Sequence, residues 1–294
     1  MTTDIHFDTV AVIGVGLIGG SLAMVMRQRG LAARIVGVGR GQANLDAALR
    51  LGVVDSATRD LAEGVRDADL VVVATPVLKI ADTVRRAAPS LRPGCIVTDA
   101  GSVKAAIIDE IEPVMPEGVS FVPGHPIAGT ENSGVEAAFP ALYQDRVCIL
   151  TPTERTDRAA VEAVRRLWEE AGSRVVIMDP ALHDRVLAAV SHLPHMIAYT
   201  LVNTVADLED SGTDALSFSA GGFKDFTRIA SSSPEMWADI CALNRDRIVE
   251  MIGLFQDRLA ELKGHIEKAD VDALNVDFSR AKMVRDSLLA KNGE

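Results

Sequence analysis

The sequence predicts an α/β protein in which an N-terminal Rossmann-like, doubly wound sheet is followed by an all-helical domain. Short β-branched runs alternate with helical stretches from residue 8 to about residue 178, which is typical of a parallel sheet with crossover helices. A glycine-rich turn follows the first of these runs. After Pro180 the apolar residues follow only helical periodicity. We therefore expect two domains, residues 1–180 and residues 181–294.

The N-terminal domain contains seven predicted strands, several of them apolar on both faces, as strands covered by helices should be. They are Thr9–Ile13, Arg34–Val38, Leu70–Ala74, Cys95–Asp99, Ser120–Val122, Arg146–Leu150 and Arg174–Ile177. Predicted helices between them include Asn44–Leu51, Ile80–Ala88, Lys104–Met115 and Asp157–Ala171. In the helical half, Val186–Val205 is apolar on more than one face. A monomeric bundle does not need so much apolar surface, so we expect a homodimer formed through the helical domain.

The composition limits the classes of partner. The chain carries 30 Lys and Arg against 41 Asp and Glu, a formal net charge of -11, which disfavours nucleic acid and anionic membranes. An anionic small-molecule substrate must then be held by a few local cations. Three widely spaced cysteines show no pairing or metal-ligand pattern and indicate reduced thiols in a cytoplasmic protein. The uncharged run Val10–Met26 follows acidic residues and contains four glycines, so we interpret it as neither a signal peptide nor a membrane segment.

A glycine motif directly after the first strand predicts a dinucleotide site. The segment Gly14-Val15-Gly16-Leu17-Ile18-Gly19 has the spacing G-x-G-x-x-G and opens a helix. Gly14 permits the tight turn, Gly16 lets a pyrophosphate approach the backbone, and Gly19 lets the helix pack on the strand. The free N–H groups of the helix N-terminus, at Leu17 and Ile18, complete the site. The alternative is a buried glycine-rich turn without a ligand.

The residues after the second strand bear on the choice of cofactor. An NAD site usually carries Asp or Glu about 20 residues beyond the glycine motif, but here Gly39 stands where the carboxylate is expected. Arg40 follows and can pair with a 2′-phosphate, although an exposed loop arginine is also commonly idle. The sequence therefore favours NADP over NAD by a small margin. Thr75 and Pro76, which follow the strand Leu70–Ala74, should form a further wall near the cofactor.

The segment Gly124–Glu131 places His125 in a turn between glycines and a proline. Glycine tolerates close approach and proline stiffens the loop, while histidine has the side-chain pKa nearest neutral pH. We interpret His125 as the residue that handles a proton while a nicotinamide takes a hydride. The alternative is a buried histidine that satisfies a loop carbonyl.

Two further segments could contribute to the same site. Ser102 follows the strand Cys95–Asp99 and should lie at the carboxyl edge of the sheet, as a helix N-cap, a substrate contact or both. His192 and His195 lie on one face of a helix that Pro194 must kink or interrupt. No H-E-x-x-H motif or thiolate pair accompanies them, so we expect no metal.

The segment Gly221–Arg228 combines a flexible entry with two cations, Lys224 and Arg228. In an acidic protein such a cluster is a candidate anion site. Alternatively, either cation pairs with Asp225 or another carboxylate.

Together these segments resemble the prephenate/arogenate (cyclohexadienyl) dehydrogenase family. The resemblance covers nearly the whole chain: the glycine motif, Asp99–Lys104, Gly124–Glu131, Ser191–His195 and Gly221–Arg228, with Trp237 beyond. It implies NAD(P)-dependent oxidative decarboxylation of prephenate to 4-hydroxyphenylpyruvate, of arogenate to tyrosine, or of both. The choice between the keto and the amino substrate stays open, because one nearby carboxylate, for which Glu131 is a candidate, could switch it.

The resemblance also implies roles for particular residues. His125 accepts a hydrogen bond from the ring hydroxyl of the substrate and helps to remove its proton, and Ser102 orients that hydroxyl or His125. Arg228 binds a substrate carboxylate, while His195 lines the end of the pocket that holds the substrate side chain. The remaining implied substrate-binding residues are Glu131, as a polar gate, Lys224, as a pocket wall, and Thr130.

Two other functions are compatible with a dinucleotide domain. A β-hydroxyacid dehydrogenase would carry a catalytic lysine near the start of the long interdomain helix, but Val186–Asn203 contains no lysine. An NADP-sensing regulatory protein without catalysis would need the glycine loop but neither the histidines nor Arg228.

Overall fold

The structure of the protein, a computed structural model, describes residues 5–130, 132–210, 212 and 214–292. The chain forms two compact units that divide after Arg245. Among the described residues every strand belongs to the first unit, and the second unit is helical. The predicted α/β fold with a helical C-terminal part is confirmed. The domain boundary at residue 180 stays a prediction.

Six parallel strands form the main sheet in the order β3-β2-β1-β4-β5-β6. The chain moves outward in one direction from β1 and in the other from β4, so a crevice opens at the carboxyl ends of these two strands. The strands are β1 Phe7–Ile13, β2 Ala32–Val38, β3 Ser56–Thr58, β4 Leu70–Val73, β5 Ile96–Asp99 and β6 Ser120–Val122. The sequence analysis missed β3 because three half-buried residues are too few to show a strand pattern.

A second sheet contains β7 Gly124–Pro126, β8 Val147–Leu150 and β9 Arg174–Ile177. Strand β7 pairs antiparallel with β8, and β8 pairs parallel with β9. The expectation that β8 and β9 continue the parallel sheet is wrong. Pro123 separates β6 from β7 and has no N–H to donate to a ladder, so the chain leaves the main sheet there.

Several of the helices begin where the sequence offers a side-chain cap. Side chains of Asp60, Asp157, Asp179 and Ser233 each accept a hydrogen bond from a first-turn amide of the helix they precede. The helices are α1 Leu17–Arg29, α2 Gln42–Arg50, α3 Leu61–Val65, α4 Val77–Ala87, α5 Ala105–Ile111, α6 Arg158–Glu170, α7 Pro180–Leu187, α8 Leu193–Asp210, α9 Gly221–Thr227, α10 Pro234–Leu243, α11 Arg245–Glu267 and α12 Val271–Asn292. None of the helices in the described residues is long and apolar enough to cross a membrane.

Helices α7 and α8 are joined by one turn of π-helix, Ala188–His192. Pro194 follows as the second residue of α8 and cannot donate a backbone hydrogen bond, so the helix widens in the preceding turn. The interruption that Pro194 predicts is therefore present.

Aromatic packing fixes the first helix against the rest of the N-terminal fold. Trp168 of α6 is fully buried and meets Tyr143 edge to face, with ring centroids 5.1 Å apart. The Tyr143 hydroxyl donates to the carbonyl of Ile18 at 2.5 Å. Because Ile18 lies in the first turn of α1, this contact holds the turn that follows the glycine motif.

Candidate active site

The three glycines of the motif occupy the positions that their predicted roles require. Gly14 has φ +92°, and a Cβ there would lie 2.5 Å from the carbonyl oxygen of Ala74. A Cβ on Gly19 would lie 2.3 Å from the Gly14 carbonyl oxygen. Gly16 differs, because its Cβ would meet nothing within 4 Å among the described residues. The turn is therefore closely packed at Gly14 and Gly19, whereas the space next to Gly16 is open.

The groups around this open space suit a dinucleotide. Helix α1 begins at Leu17 without a side-chain cap and has no acidic residue in its first turn, so its N-terminal amides are available to a phosphate. The hydroxyl of Thr75 is buried without a hydrogen-bond partner in the part of the chain that the structure describes. The Thr75 amide nitrogen lies 3.1 Å from the Cβ position of Gly14, which places Thr75 beside the turn. Pro76 follows as the exposed N-cap residue of α4.

At the end of β2, Gly39 packs against Leu45 and Arg40 is exposed. No ion pair or hydrogen bond engages the Arg40 side chain within the described ranges. Arg40 is therefore available to an anionic group at the tip of the β2 loop.

Neighbouring loops connect the glycine turn to His125 along the carboxyl edge of the sheet. The Ala74 amide donates to Ile13 at 2.8 Å, and the Ala100 amide donates to Val73 at 3.1 Å. Three interstrand spacings of about 4.8 Å each separate β1 from β6, a span of roughly 14 Å. Gly124 comes directly after β6 and Pro123, so the candidate base lies on the same edge as the cofactor loop.

A fully buried ion pair holds the backbone just before His125. Lys104 Nζ contacts Asp99 Oδ2 and donates to the Gly124 carbonyl at 2.7 Å. The other Asp99 oxygen accepts the Gly124 amide at 3.1 Å. Both backbone polar groups of Gly124 are thus bound to one charge pair. This arrangement fixes the backbone position of the next residue, His125.

His125 lies in strand β7, opposite Ile149 of β8, so the expectation that it occupies a turn is wrong. The glycines and proline around it allow a short strand rather than a free loop. The ring is buried and its Nδ1 lies 2.8 Å from Nε2 of His183, not on a loop carbonyl. Burial lowers the pKa of His125 well below the ordinary histidine value, and the nearby His183 and Lys104 lower it further. The imidazole is therefore neutral at pH 7.

His183 and Asp184 form the second layer of the site from α7. His183 Nδ1 lies 2.8 Å from Asp184 Oδ1, and the same carboxylate accepts the amides of Lys104 at 2.8 Å and Ala105 at 2.9 Å. Asp184 therefore caps α5 from outside that helix. Lys104, not Ser102, is the N-cap residue of α5, so the N-cap alternative for Ser102 is wrong.

Ser102 is half-buried in the loop between β5 and α5. Its hydroxyl makes no hydrogen bond to His125 or to another group among the described residues. Its role toward substrate stays a prediction.

The histidines of the π turn and α8 form an aromatic cluster with Trp237 of α10. His195 stacks on Trp237 with ring centroids 3.8 Å apart, and His192 meets it edge on at 5.8 Å. Asn244 binds His192 Nδ1 at 3.1 Å and the Asp184 carbonyl at 2.9 Å. Burial lowers the pKa of His192 to about 4. Within the described residues no group of three or more His, Cys, Asp or Glu side chains could hold a metal ion.

Arg228 lies near His195 and helps to lower the pKa of His195, after the larger effect of burial. Arg228 and Lys224 are exposed, and neither forms an ion pair with the described carboxylates, Asp225 included. The alternative that these cations pair with a carboxylate of the chain therefore finds no support among the described residues.

Thr130 is exposed in the loop after β7 and accepts the Asn132 amide at 3.3 Å. Glu131 lies outside the described residues.

Sequence reasoning missed four residues of this site: Lys104, His183, Asp184 and Asn244. Opposite charges at Asp99 and Lys104, inside one candidate segment, were a usable signal. So was an imidazole next to a carboxylate directly after the helix start at Pro180. Asn244 gives no local signal, because only tertiary packing brings it to His192.

Comparison with known proteins identifies the family. The nucleotide-binding domain of prephenate dehydrogenase matches residues 22–177, and the dimerization domain of prephenate dehydrogenase matches residues 179–280. The chain belongs to the prephenate dehydrogenase family. Membership of this family rules out the two alternative functions, a β-hydroxyacid dehydrogenase and an NADP-sensing protein without catalysis.

Individual members of the family align over most of their length. Prephenate dehydrogenase of Bacillus subtilis is 37% identical over 282 residues, 96% of this chain and 76% of the relative. Cyclohexadienyl dehydrogenase of Zymomonas mobilis is 37% identical over 283 residues, 96% of each chain. The crystal structure of prephenate dehydrogenase from Aquifex aeolicus with hydroxyphenyl propionate and NAD+ has a TM-score of 0.92 at 35% identity. It covers 97% of this chain and 100% of that chain.

The glycine geometry predicts opposite phenotypes for two substitutions. Gly16→Ala should change the free energy of unfolding by no more than about 1 kcal/mol, because its Cβ enters open space, but should weaken nucleotide binding at least roughly tenfold. Gly19→Ala should cost about 1 to 3 kcal/mol of stability, because its Cβ meets backbone. Urea unfolding and calorimetric titration of NAD and NADP measure both. Wild-type nucleotide affinity in Gly16→Ala would contradict this account of the loop.

Proposed function

We propose that this protein catalyses the NAD(P)-dependent oxidative decarboxylation of prephenate, of arogenate, or of both, with His125 as proton acceptor. The observation that carries the proposal is a buried, neutral imidazole on the sheet edge that also carries the dinucleotide loop. Names of the relatives support it: the Bacillus subtilis protein is a prephenate dehydrogenase and the Zymomonas mobilis protein a cyclohexadienyl dehydrogenase.

The chemistry needs a base and an anion site more than an electron sink within the chain. The bound nicotinamide supplies a hydride acceptor for the carbinol carbon of the ring. His125 takes the hydroxyl proton as the C–O bond becomes a carbonyl. The ring carboxylate leaves as CO₂, and its electron pair enters the ring, which becomes an aromatic phenolate. The phenolate regains the proton held by His125 and becomes the phenol. Aromatisation drives the loss of CO₂, so the protein contributes mainly by positioning the substrate.

Arg228 is proposed to bind a substrate carboxylate. Its guanidinium is exposed and not engaged by a described carboxylate, and its charge reaches His195. A carboxylate can accept two parallel N–H bonds from arginine, whereas Lys224 one turn earlier offers a point charge. His195, stacked on Trp237, is proposed to line the end of the pocket that holds the substrate side chain. Ser102, Thr130 and Glu131 are proposed as further substrate contacts.

NADP is the cofactor that we favour over NAD. The support is Arg40, exposed at the end of β2, together with Gly39 where an NAD site would carry a carboxylate. Gly14, Gly16, Leu17, Ile18, Gly19, Thr75 and Pro76 are proposed to hold the rest of the dinucleotide.

The assembly is proposed to be a homodimer formed through the helical part of the chain. The match to a dimerization domain over residues 179–280 supports it, as do exposed apolar side chains such as Leu182 and Val190. The free cysteines Cys95, Cys148 and Cys241 accord with the cytoplasmic location expected from the sequence.

Replacing His125 tests the proposed base. His125→Asn should lower kcat roughly 10²- to 10⁴-fold with little change in nucleotide affinity, because asparagine cannot accept the proton. His6→Asn, which alters an exposed histidine bonded to Gly30, serves as the matched control. In the wild type a lowered pKa keeps His125 neutral to lower pH, so kcat/KM should fall only below the ordinary histidine value of 6.5. Near wild-type kcat in His125→Asn would exclude His125 as the base.

Removing the guanidinium tests the carboxylate site. Arg228→Ala should raise KM for prephenate at least roughly tenfold, the loss of one charge-assisted hydrogen bond, and Arg228→Lys should recover part of it. Arg29→Ala removes an equal charge from the exposed end of α1 and should leave KM unchanged. Steady-state kinetics with both substrates, beside circular dichroism for the fold, give the answer. A normal KM in Arg228→Ala would place the carboxylate site elsewhere.

Assays of both substrates with both cofactors test the specificity. Arg40→Ala should weaken NADP by about 1 to 3 kcal/mol, the cost of a charge-assisted contact, and leave NAD nearly unchanged. Equal effects on the two cofactors would count against Arg40 as the group that recognises the 2′-phosphate.

A further inference from the structure

Behind His125 lies a buried pair that the proposed chemistry has not used. His183 and Asp184 are both buried on α7, and the hydrogen-bonded row runs from Asp184 through His183 to His125. We propose that His183 and Asp184 are positioning residues that fix the tautomer of His125, so that Nδ1 carries the proton and Nε2 is the proton acceptor. This inference rests on the proposed role of His125 as the base.

The direction of the row is set at Asp184. Two backbone amides, which can only donate, point at its two oxygens, Lys104 N at Oδ1 and Ala105 N at Oδ2. The carboxylate is thereby stabilised as an acceptor. His183 Nδ1, 2.8 Å from Oδ1, must then carry the hydrogen of the bond that joins them.

A neutral His183 passes this direction on to His125. Burial lowers the pKa of His183, so a ring that is protonated on Nδ1 has a lone pair on Nε2. That atom lies 2.8 Å from His125 Nδ1, which must therefore be the donor. His125 is neutral as well, because burial lowers its pKa. Its lone pair is consequently on Nε2, where the structure shows no hydrogen bond to a described residue.

The row also favours the protonated form of His125 at the moment when it is needed. When Nε2 takes the hydroxyl proton, the imidazolium still donates from Nδ1 to His183, and the carboxylate of Asp184 lies one ring behind. No proton has to move along the row. A carboxylate that fixes a tautomer and stabilises an imidazolium has the same relation to its base as in a serine-protease triad, here with an imidazole inserted between them.

Asp184→Asn is the variant that no longer fixes the direction of the row. One amide oxygen replaces two carboxylate oxygens, so the amides of Lys104 and Ala105 and the Nδ1–H of His183 compete for it. Where the NH₂ group faces His183, His183 carries its hydrogen on Nε2 and donates to His125, whose lone pair moves to Nδ1. We expect kcat for prephenate to fall at least roughly tenfold, with KM for prephenate and for the nucleotide within about threefold.

Asp179→Asn is the matched control. Asp179 caps the same helix, α7, through Leu182 N at 2.9 Å, and asparagine is an equally good cap. It lies outside the row, so kcat should stay at the wild-type value.

Two variants at His183 test the row independently, in case Asp184→Asn does not fold. His183→Gln places an acceptor near the Nε2 position and should retain much more kcat than His183→Leu, which offers none.

Nitrogen-15 NMR of histidine-labelled protein reads the tautomer directly. The chain has six histidines, and His125→Asn assigns the resonances of His125. The expected result is Nδ1–H on His125 in the wild type and a population with Nε2–H on His125 in Asp184→Asn. A wild-type His125 with its hydrogen on Nε2, or a kcat within threefold of wild type in both Asp184→Asn and His183→Leu, would overturn the inference. Full activity in His125→Asn would instead reject the proposed base, and the NMR result decides the tautomer independently of it.

Discussion

The site depends on one buried ion pair, Lys104 with Asp99. Taking two charges out of water costs several kcal/mol per ion, and the pair persists here because each member has further hydrogen bonds to satisfy it. Those bonds go to the N–H and C=O groups of Gly124. The chain has left the main sheet at Pro123, so the ladder of that sheet no longer holds it. The ion pair takes over that function and attaches the strand that carries His125 to the end of β5.

Burial and nearby positive charges together set the ionisation of three imidazoles. Lys104 adds to the burial that lowers the pKa values of His125 and His183, and Arg228 adds to the burial that lowers the pKa of His195. These three imidazoles are therefore kept neutral in a protein whose net charge is -11. Neutral rings can accept protons and hydrogen bonds, while exposed side chains such as Arg228 are the groups that we propose to bind an anionic substrate. This separation of neutral imidazoles from positively charged side chains suits a reaction that removes a proton from an anionic substrate.

Local sequence was sufficient wherever one short segment contains all the interacting groups. The glycine motif is such a segment, because the tight turn, the open face at Gly16 and the packing of Gly19 all arise within six residues. The effect of Pro194 on its helix was also predictable, since proline acts on the turn that precedes it. The position of His125 was not. Its glycines and proline indicated a turn, but pairing with β8, more than 20 residues away, makes it a strand.

By itself, the sequence determined the fold class, the dinucleotide loop and the family, because these depend on periodicity and on motifs that are contiguous in the chain. Tertiary structure alone decided what surrounds His125, the proposed base. Asp184 reaches α5 from 79 to 80 positions away along the chain, and Asn244 reaches His192 from 52 positions away. A buried polar group takes whichever partner the packing brings to it, and its neighbours in sequence do not specify that partner. The hydrogen-bond direction at His125 is therefore a property of the folded chain.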